Sequence, residues 1–266
     1  MDNGTQLSTD RETPLIKVSH LGITFGGLRA VNDFNLEMGE NELVGLIGPN
    51  GAGKTTVFNL LTGVYIPSEG DYFFMGRRMN GKKTHQVVQS GIARTFQNIR
   101  LFKQMTVLEN VKVAMNPYYS YNLFSALFRT GKYWESEAEN EAKARELLDI
   151  FNLQDKADYI AENLPYGQQR KLEIARALAT GMKLLLLDEP AAGMNPTETA
   201  ELLECIRIVR QRFNISILLI EHDMSLVMKI CEHIIVIDYG TTIARGTPEE
   251  ISSDPRVIAA YLGEED

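Results

Sequence analysis

The chain has 266 residues, 44% of them hydrophobic and 23% charged, so it is long enough for one sizeable domain and too apolar for a disordered chain. Its net charge of −8 provides no basic surface of the kind that binds a nucleic acid duplex, so no nucleic-acid partner is expected. The most apolar runs, residues 184–187 and 215–220, are far shorter than the roughly 20 residues that cross a bilayer, and the polar start lacks the apolar core of a secretory signal.

The first part of the chain is rich in predicted strands. Apolar runs bounded by Gly, Pro or Asn predict strands over residues 15–25, 30–36 and 43–47. A helical pattern follows Gly53 through Leu61. Strands over residues 72–75 and 92–96 then flank a short helix near residues 84–90. Residues 1–13 are expected to form a flexible tail.

Residues 106–153 carry no strand pattern and predict a helical subdomain. Thr106 and Glu109 have the spacing of a capping box, in which each side chain bonds the backbone of the other residue. Helical spacing then recurs at Ala138, Ala142, Arg145 and Leu148. Within this region, residues 118–134 are aromatic-rich and irregular, which fits an insertion or a contact surface, with a packed surface excursion as the alternative.

From Lys183 onward, strands and helices alternate. A strand over residues 184–187 precedes a helix over residues 196–213, with Asn195 as its N-cap and Pro196 at its first position. A strand over residues 215–220 follows. A last strand near 234–237 leads into a turn at 238–240, and short helical segments close the chain. This alternation predicts a parallel sheet.

Cys205 and Cys231 are far apart in the sequence and have no ligand-like spacing, so they are interpreted as core residues rather than metal ligands or a disulfide.

Residues 48–55 read GPNGAGKT, which matches the P-loop pattern between an apolar run and a helix. Gly48, Gly51 and Gly53 permit positive φ angles, so successive backbone N–H groups can surround phosphate oxygens at the helix N-terminus. Lys54 adds a positive charge, and Thr55 is a candidate Mg²⁺ ligand. The alternative is a glycine-rich turn, but a chance match has a probability on the order of 1%. The predicted nucleotide-binding residues are Gly48, Pro49, Asn50, Gly51, Ala52, Gly53, Lys54, Thr55 and Thr56.

Asp188 and Glu189 end the apolar run 184–187, which places two carboxylates at the C-terminal edge of a strand. Asp188 is predicted to hold Mg²⁺ through water, and Glu189 to accept a proton from, or orient, the water that attacks the γ-phosphate. Taken alone, an Asp-Glu pair is more often a solvated turn.

The stretch LPYGQ at residues 164–168, followed by QRKLEIARAL, resembles the LSGGQ signature of the ABC ATPase family. Alone, this stretch could be an amphipathic helix with Leu172, Ala175 and Leu178 inward. Its position before the strand that ends at Asp188 favours the signature.

The resemblance implies roles for further residues. Gln97, in ARTFQN, is similar to the Q-loop glutamine that contacts Mg²⁺ and the attacking water, and it marks the junction with the helical subdomain. His222, in LLIEHDM, is similar to the switch histidine that contacts the γ-phosphate. Phe25 stands where the family has an aromatic that stacks on adenine, with core packing as the alternative. The family's signature residues cover a nucleotide on a second subunit, which assigns that role to Tyr166, Gly167 and Gln168.

The sequence departs from the family at two places. Residues 192–195 align with the D-loop, and Asn195 replaces the usual Asp, which puts charge pairing between subunits in doubt. Pro165 and Tyr166 replace the signature's Ser and first Gly. Tyr166 is expected either to pack against the helical subdomain or to help cover the neighbour's nucleotide.

The resemblance implies an α/β fold: a P-loop NTPase (ABC ATPase) core with an N-terminal antiparallel β-subdomain and an inserted α-helical subdomain. We expect the core to comprise residues 14–97 and 164–266, and the helical subdomain residues 98–163. The segments LPYGQQRKLEIARAL, DEPAAGMNP, LLIEHDM and AYLGEED resemble the ATP-binding subunits of branched-chain amino-acid importers. Such a subunit uses ATP and Mg²⁺ and lies on the cytoplasmic face of the membrane. Its partners are transmembrane permease subunits, a second ATP-binding subunit and, indirectly, a substrate-binding protein.

Two alternatives remain at this point. One is an ABC ATPase of a lipid transporter or exporter, or one without a membrane partner. The single set of motifs and the lack of a long insertion favour a transporter subunit over an ABC ATPase without a membrane partner. The other is a regulatory nucleotide-binding module that does not turn over, against which the intact Lys54, Asp188, Glu189 and His222 argue.

Overall fold

Two β-sheets form the framework of residues 14–115 and 131–262, the parts of the chain that the computed structural model describes. The smaller sheet is antiparallel, with the strand order β2-β1-β4-β5. Its strands are β1 (Ile16–Phe25), β2 (Leu28–Met38), β4 (Glu69–Phe74) and β5 (Arg77–Arg78). The prediction of an N-terminal antiparallel β-subdomain is therefore confirmed, whereas the predicted tail, residues 1–13, lies outside the described residues.

The larger sheet has six strands in the order β10-β9-β3-β8-β7-β6. Its strands are β3 (Leu43–Ile47), β6 (Ile92–Arg94), β7 (Leu184–Asp188), β8 (Ser216–Ile220), β9 (His233–Asp238) and β10 (Thr241–Gly246). All neighbours pair in parallel except β10, which pairs antiparallel with β9. The predicted parallel sheet is confirmed.

The prediction that the strand near 234–237 is the last one was wrong. Tyr239 and Gly240 both have positive φ angles, as a tight hairpin turn requires, and they lead directly into β10. Sequence periodicity misses β10 because it is a polar edge strand in which Ala244 is the one fully buried residue.

Helices cover both faces of the larger sheet. They are α1 (Lys54–Leu61), α2 (Thr84–Gln89), α3 (Val107–Ala114), α4 (Gly131–Ile150), α5 (Tyr166–Leu178), α6 (Pro196–Phe213), α7 (Met224–Ile230), α8 (Pro248–Ser253) and α9 (Pro255–Leu262). The predicted capping box of Thr106 and Glu109 starts α3, and Asn195 caps α6 with Glu198 completing a second box. None of the helices in the described ranges is long and apolar enough to span a membrane.

The central strands divide the core into two layers. In β7, Leu184 and Leu186 face the layer formed with the antiparallel sheet and α1, whereas Leu185 and Leu187 face the layer formed with α3, α4, α5 and α6. This alternation follows from the two-residue period of a strand, and it explains why β7 is apolar throughout. Cys205 and Cys231 are buried and form no disulfide, as expected, and burial raises the pKa of the Cys231 thiol to about 12.

The region between residues 98 and 163 is helical where the structure describes it, with α3 and α4 as its main elements. Most of the aromatic-rich stretch 118–134 lies outside the described residues. Trp134, at its end, is half exposed. The predicted boundaries between the core and the helical subdomain, after residues 97 and 163, stay a prediction.

Candidate functional site

The loop between β3 and α1 has the backbone that phosphate binding requires. Gly48 has φ of 150°, and a Cβ there would lie 1.9 Å from the carbonyl oxygen of Ile237, so only glycine fits against β9. Gly53 is the N-cap of α1, with φ of 105°. The Lys54 ammonium lies inside the loop, where Nζ donates to the carbonyl oxygens of Gly48 (2.5 Å) and Pro49 (2.7 Å). The loop thus combines a helix N-terminus with a buried cation.

A cavity of about 320 Å³ opens beside this loop. It collects residues from four distant parts of the chain. Its lining residues are Asn50, Gly51, Ala52, Gly53, Lys54, Thr55, Thr56, Gln97, Glu189 and His222. The structure therefore brings the P-loop, the predicted Q-loop glutamine, the predicted base and the predicted switch histidine to one place.

Glu189 is the centre of the polar cluster in this cavity. Gln97 Nε2 donates to Glu189 Oε2 at 2.8 Å, and His222 Nε2 lies 2.5 Å from Oε1. Glu189 has φ of 47°, a strained conformation for a residue with a side chain, which places its carboxylate beyond the edge of β7. A carboxylate held by an amide and an imidazole beside a phosphate site can orient a water molecule and accept its proton.

Asp188 lies deeper, as the last residue of β7, and only 4% of its surface is exposed. Its Oδ2 accepts a hydrogen bond from Arg94 Nη2 at 2.7 Å. Arg94 was not among the predicted site residues. It lies three residues before Gln97 in the same ARTFQN segment, where a charged residue inside an apolar strand is the available signal.

The predicted metal ligands fit Mg²⁺ by the chemistry of their donor atoms, although Asp188 is not among the residues that line the cavity. The Asp188 carboxylate, the Thr55 hydroxyl and the Gln97 amide supply the oxygen atoms that Mg²⁺ prefers. No cluster of three or more His, Cys, Asp or Glu able to hold a metal occurs within residues 14–115 and 131–262. Mg²⁺ usually takes one or two carboxylates and completes its shell with phosphates and water.

Glu221, immediately before His222, was also missed. It is 4% exposed, and its Oε1 accepts a hydrogen bond from the backbone N–H of Ala191 at 2.8 Å. Burial raises the pKa of the Glu221 carboxyl. Glu221 thereby ties the loop that follows Glu189 to the end of β8.

The predicted signature residues lie at the start of α5 and do not line this cavity. Pro165 is the N-cap of α5, and its side chain makes no capping hydrogen bond. Gly167 is tightly packed, because a Cβ there would lie 2.8 Å from Glu198 Oε1. Gln168 Oε1 accepts a hydrogen bond from Lys156 Nζ at 2.8 Å.

Tyr166, for which two positions were expected, is half exposed. Its ring carbon Cε1 would lie 3.3 Å from a Cβ at Gly193, in the loop that precedes α6. Its hydroxyl lies 3.4 Å from Arg170 Nη2, at the long limit of a hydrogen bond. The Tyr166 ring therefore lies against the predicted D-loop of its own chain.

A buried ion pair on α5 connects the signature to the Q-loop. Arg170 is fully buried and donates to the carbonyl oxygens of Phe96 and Gln97, at 2.6 Å each. Glu173 lies 2.9 Å from the Arg170 guanidinium, and it accepts a hydrogen bond from the N–H of Arg100 at 3.1 Å. Burial raises the pKa of the Glu173 carboxyl. Sequence reasoning assigned Arg170 and Glu173 no role.

Phe25 and Asn195 complete the predicted residues. Phe25 is 42% exposed, so it is not a core residue, and the centres of the Phe25 and Tyr65 rings lie 5.0 Å apart in an edge-to-face arrangement. Asn195 accepts a hydrogen bond from the N–H of Glu198 at 3.0 Å. Asn and Asp are equally good N-caps, so the substitution at the D-loop keeps this local function.

Comparison with known families gives two matches. The family described as ABC transporter matches residues 31–192, and the one described as branched-chain amino acid ATP-binding cassette transporter matches residues 241–266.

Individual relatives match along nearly the whole chain. The chain is 49% identical to the high-affinity branched-chain amino acid transport ATP-binding protein BraF of Pseudomonas aeruginosa, over 94% of this chain and 98% of that protein. Identity is also 49%, with the same coverage, to LivG of Escherichia coli, which carries the same description. The lipopolysaccharide export system ATP-binding protein LptB of Haemophilus influenzae is 32% identical over 94% of this chain and 98% of its own length. Among solved structures, an ATP-binding cassette of an ABC transporter in its ADP conformation has a TM-score of 0.81 at 30% identity, covering 94% of this chain and 99% of that one.

Proposed function

The chain belongs to the ABC transporter family, and on that basis we propose that it is the ATP-hydrolysing subunit of an importer of branched-chain amino acids. The predicted fold class, an ABC ATPase core with an antiparallel β-sheet and a helical region, is confirmed. The relatives named for branched-chain amino acid transport are 49% identical, whereas the relative named for lipopolysaccharide export is 32% identical. The importer is therefore favoured over the exporter alternative.

The observation that carries the catalytic proposal is the cluster of Gln97, Glu189 and His222 beside the P-loop. In this proposal the backbone N–H groups of residues 50–54 and the Lys54 ammonium bind the β- and γ-phosphates. Bound Mg²⁺, held by Thr55 and through water by Asp188, would neutralise phosphate charge. Glu189 then orients the attacking water and accepts its proton, while Gln97 and His222 fix the carboxylate in position. This cluster also argues against a regulatory module that binds nucleotide without turnover.

Two variants test this assignment. Glu189→Gln retains the shape of the side chain but cannot accept a proton, so ATP binding should persist while hydrolysis falls by about 100-fold or more. Lys54→Ala removes the buried cation and should weaken ATP binding itself. ATPase assays together with equilibrium binding of a fluorescent ATP analogue separate the two effects. Wild-type turnover in Glu189→Gln would contradict the role of Glu189 as the base.

A second copy of the chain, or a paralogue, is proposed to complete the site. Tyr166, Gly167 and Gln168 form the start of α5, where the positive end of the helix favours an anion, and they lie apart from this chain's own cavity. A head-to-tail dimer would place them over the γ-phosphate bound by the partner. Glu189→Gln with ATP should therefore elute as a dimer in size-exclusion chromatography. Lys54→Ala in the same assay is the control, and it should stay monomeric.

Phe25 is proposed to stack on the adenine. Its exposed ring, packed edge-to-face with Tyr65, offers the flat apolar surface that a base requires. Phe25→Ala should raise the ATP KM by more than about fivefold with little change in kcat.

Transport is proposed to require transmembrane permease subunits, with this chain attached to their cytoplasmic side, and a substrate-binding protein that delivers the amino acid. Deletion of the gene should reduce high-affinity uptake of leucine, isoleucine and valine. Restoration by the wild-type gene and not by Glu189→Gln would link uptake to hydrolysis. Unchanged uptake of all three amino acids, with no paralogue expressed, would contradict the proposed substrate class.

A further inference from the structure

Arg94 is a buried cation whose position the proposed ATPase chemistry does not require. It is the last residue of β6, at the edge of the larger sheet, and its side chain is 6% exposed. Its two terminal nitrogens have different partners. Nη1 donates to Asn59 Oδ1 in α1, and Nη2 donates to Asp188 Oδ2, both at 2.7 Å. The third nitrogen, Nε, is buried and lacks a hydrogen-bond partner within the described part of the chain.

Two aromatic rings also lie against the guanidinium of Arg94. Its guanidinium carbon lies 5.4 Å from the centre of the Phe58 ring and 5.2 Å from that of Phe96. In such an environment a charge is costly unless an opposite charge balances it, and Asp188 is the partner within bonding distance. Replacing a buried ion pair by apolar residues of similar volume is often neutral or stabilising. The location of Arg94 at the proposed metal carboxylate therefore points to a function other than stability.

We propose that Arg94 makes metal binding at Asp188 conditional on nucleotide. This proposal rests on the proposed role of Asp188 in holding Mg²⁺. The guanidinium neutralises the Asp188 carboxylate and engages Oδ2, so Asp188 alone attracts a divalent cation only weakly. The phosphates of a nucleotide supply the further negative charge that the cation needs. The bond from Arg94 to Asn59 holds the guanidinium against the P-loop helix, which keeps it beside Asp188.

Binding of Mn²⁺ without nucleotide tests this proposal, because Mn²⁺ replaces Mg²⁺ at oxygen sites and its free form is measured by electron paramagnetic resonance. Arg94→Gln removes the charge and keeps a polar side chain. We expect this variant to bind Mn²⁺ without nucleotide with an affinity at least about tenfold above wild type. Arg94→Lys is the matched control, and it should behave like wild type because it keeps the positive charge. Equal nucleotide-free binding in wild type and Arg94→Gln would overturn the proposal.

The variant Asp188→Asn distinguishes a failure of the proposal for Arg94 from a failure of the proposed metal role of Asp188. If Asp188→Asn leaves Mn²⁺ binding in the presence of ATP unchanged, the metal role of Asp188 fails, and the proposal for Arg94 fails with it. If that variant weakens Mn²⁺–ATP binding while Arg94→Gln shows no nucleotide-free site, only the role of Arg94 fails. The double variant of Arg94→Gln and Asp188→Asn should lose the nucleotide-free site.

If Arg94→Gln does not fold, the same double variant provides a second test, based on folding and melting temperature. Removing one partner of a buried pair leaves an uncompensated charge, whereas removing both charges is much less damaging. The double variant should then be recovered folded, with a melting temperature closer to that of wild type. Failure of both variants to fold would show that Arg94 acts through contacts other than Asp188, and it would overturn the proposal.

Discussion

Substituting Arg170 by methionine should break the connection between α5 and the Q-loop. Methionine fills much of the volume of the arginine stem but removes the guanidinium that bonds Glu173 and the carbonyl oxygens of Phe96 and Gln97. Glu173 is 2% exposed, so its charge would remain buried without its partner.

The expected cost follows from this burial. Removing one member of a buried ion pair typically lowers the free energy of unfolding by about 3–5 kcal/mol. For a chain of this size, each kcal/mol corresponds to about 2–4 °C in melting temperature, so a decrease of roughly 10 °C is expected. Because Gln97 contacts Glu189, kcat should fall as well. The ATP KM should change little, since the P-loop is not altered.

Urea unfolding followed by circular dichroism gives the first quantity, and steady-state ATPase kinetics give the second. Arg170→Met combined with Glu173→Gln is the control, because the amide keeps an acceptor for Arg100 and removes the unpaired charge. This double variant should recover at least about 1 kcal/mol relative to Arg170→Met. A single variant within about 1 kcal/mol of wild type, or a double variant no more stable than the single, would refute the reasoning.

Three further predictions concern single residues. Tyr166→Phe should change the ATPase rate of the assembled transporter by less than about threefold, because the bond to Arg170 is long; a loss beyond about tenfold would show that the hydroxyl contacts the nucleotide. Gly48→Ala should lower the unfolding free energy by about 3 kcal/mol or more in urea titrations, because its methyl group would collide with the carbonyl of Ile237; normal stability would contradict the loop geometry. Burial raises the pKa of Tyr72 to about 12, so its neutral form is favoured in the folded protein. This contribution to the free energy of unfolding is present below pH 10 and is lost as pH rises from about 10 to 12. Tyr72→Phe should reduce that loss by about 2 kcal/mol. The same pH profile in wild type and variant would contradict this prediction.

The local sequence pattern was sufficient to predict the helices and strands that carry the nucleotide site. The P-loop sequence predicted the turn and α1 because Gly48 and Gly53 need backbone angles that other residues avoid. The apolar run before Asp188 predicted a buried parallel strand, since both of its faces contact core. The caps Thr106 and Asn195 act within three residues of their partners, so sequence spacing alone located both helix starts. By contrast, β10 has little apolar alternation, so the sequence did not predict it. It forms by antiparallel pairing with β9 at the edge of the larger sheet.

Pairs of residues distant in the sequence were decided only by the tertiary structure. Arg94 and Asp188 are 94 residues apart, and Gln97 and Glu189 are 92 apart. Their meeting depends on β6 and β7 lying side by side in the sheet, which no local period records. The contacts of Arg170 with Phe96 and Gln97 also depend on the tertiary structure. In the sequence, Arg170 looks like an ordinary polar residue of an amphipathic helix. The sequence therefore determined which groups are present and on which elements they lie, whereas strand order determined which charges meet and balance each other.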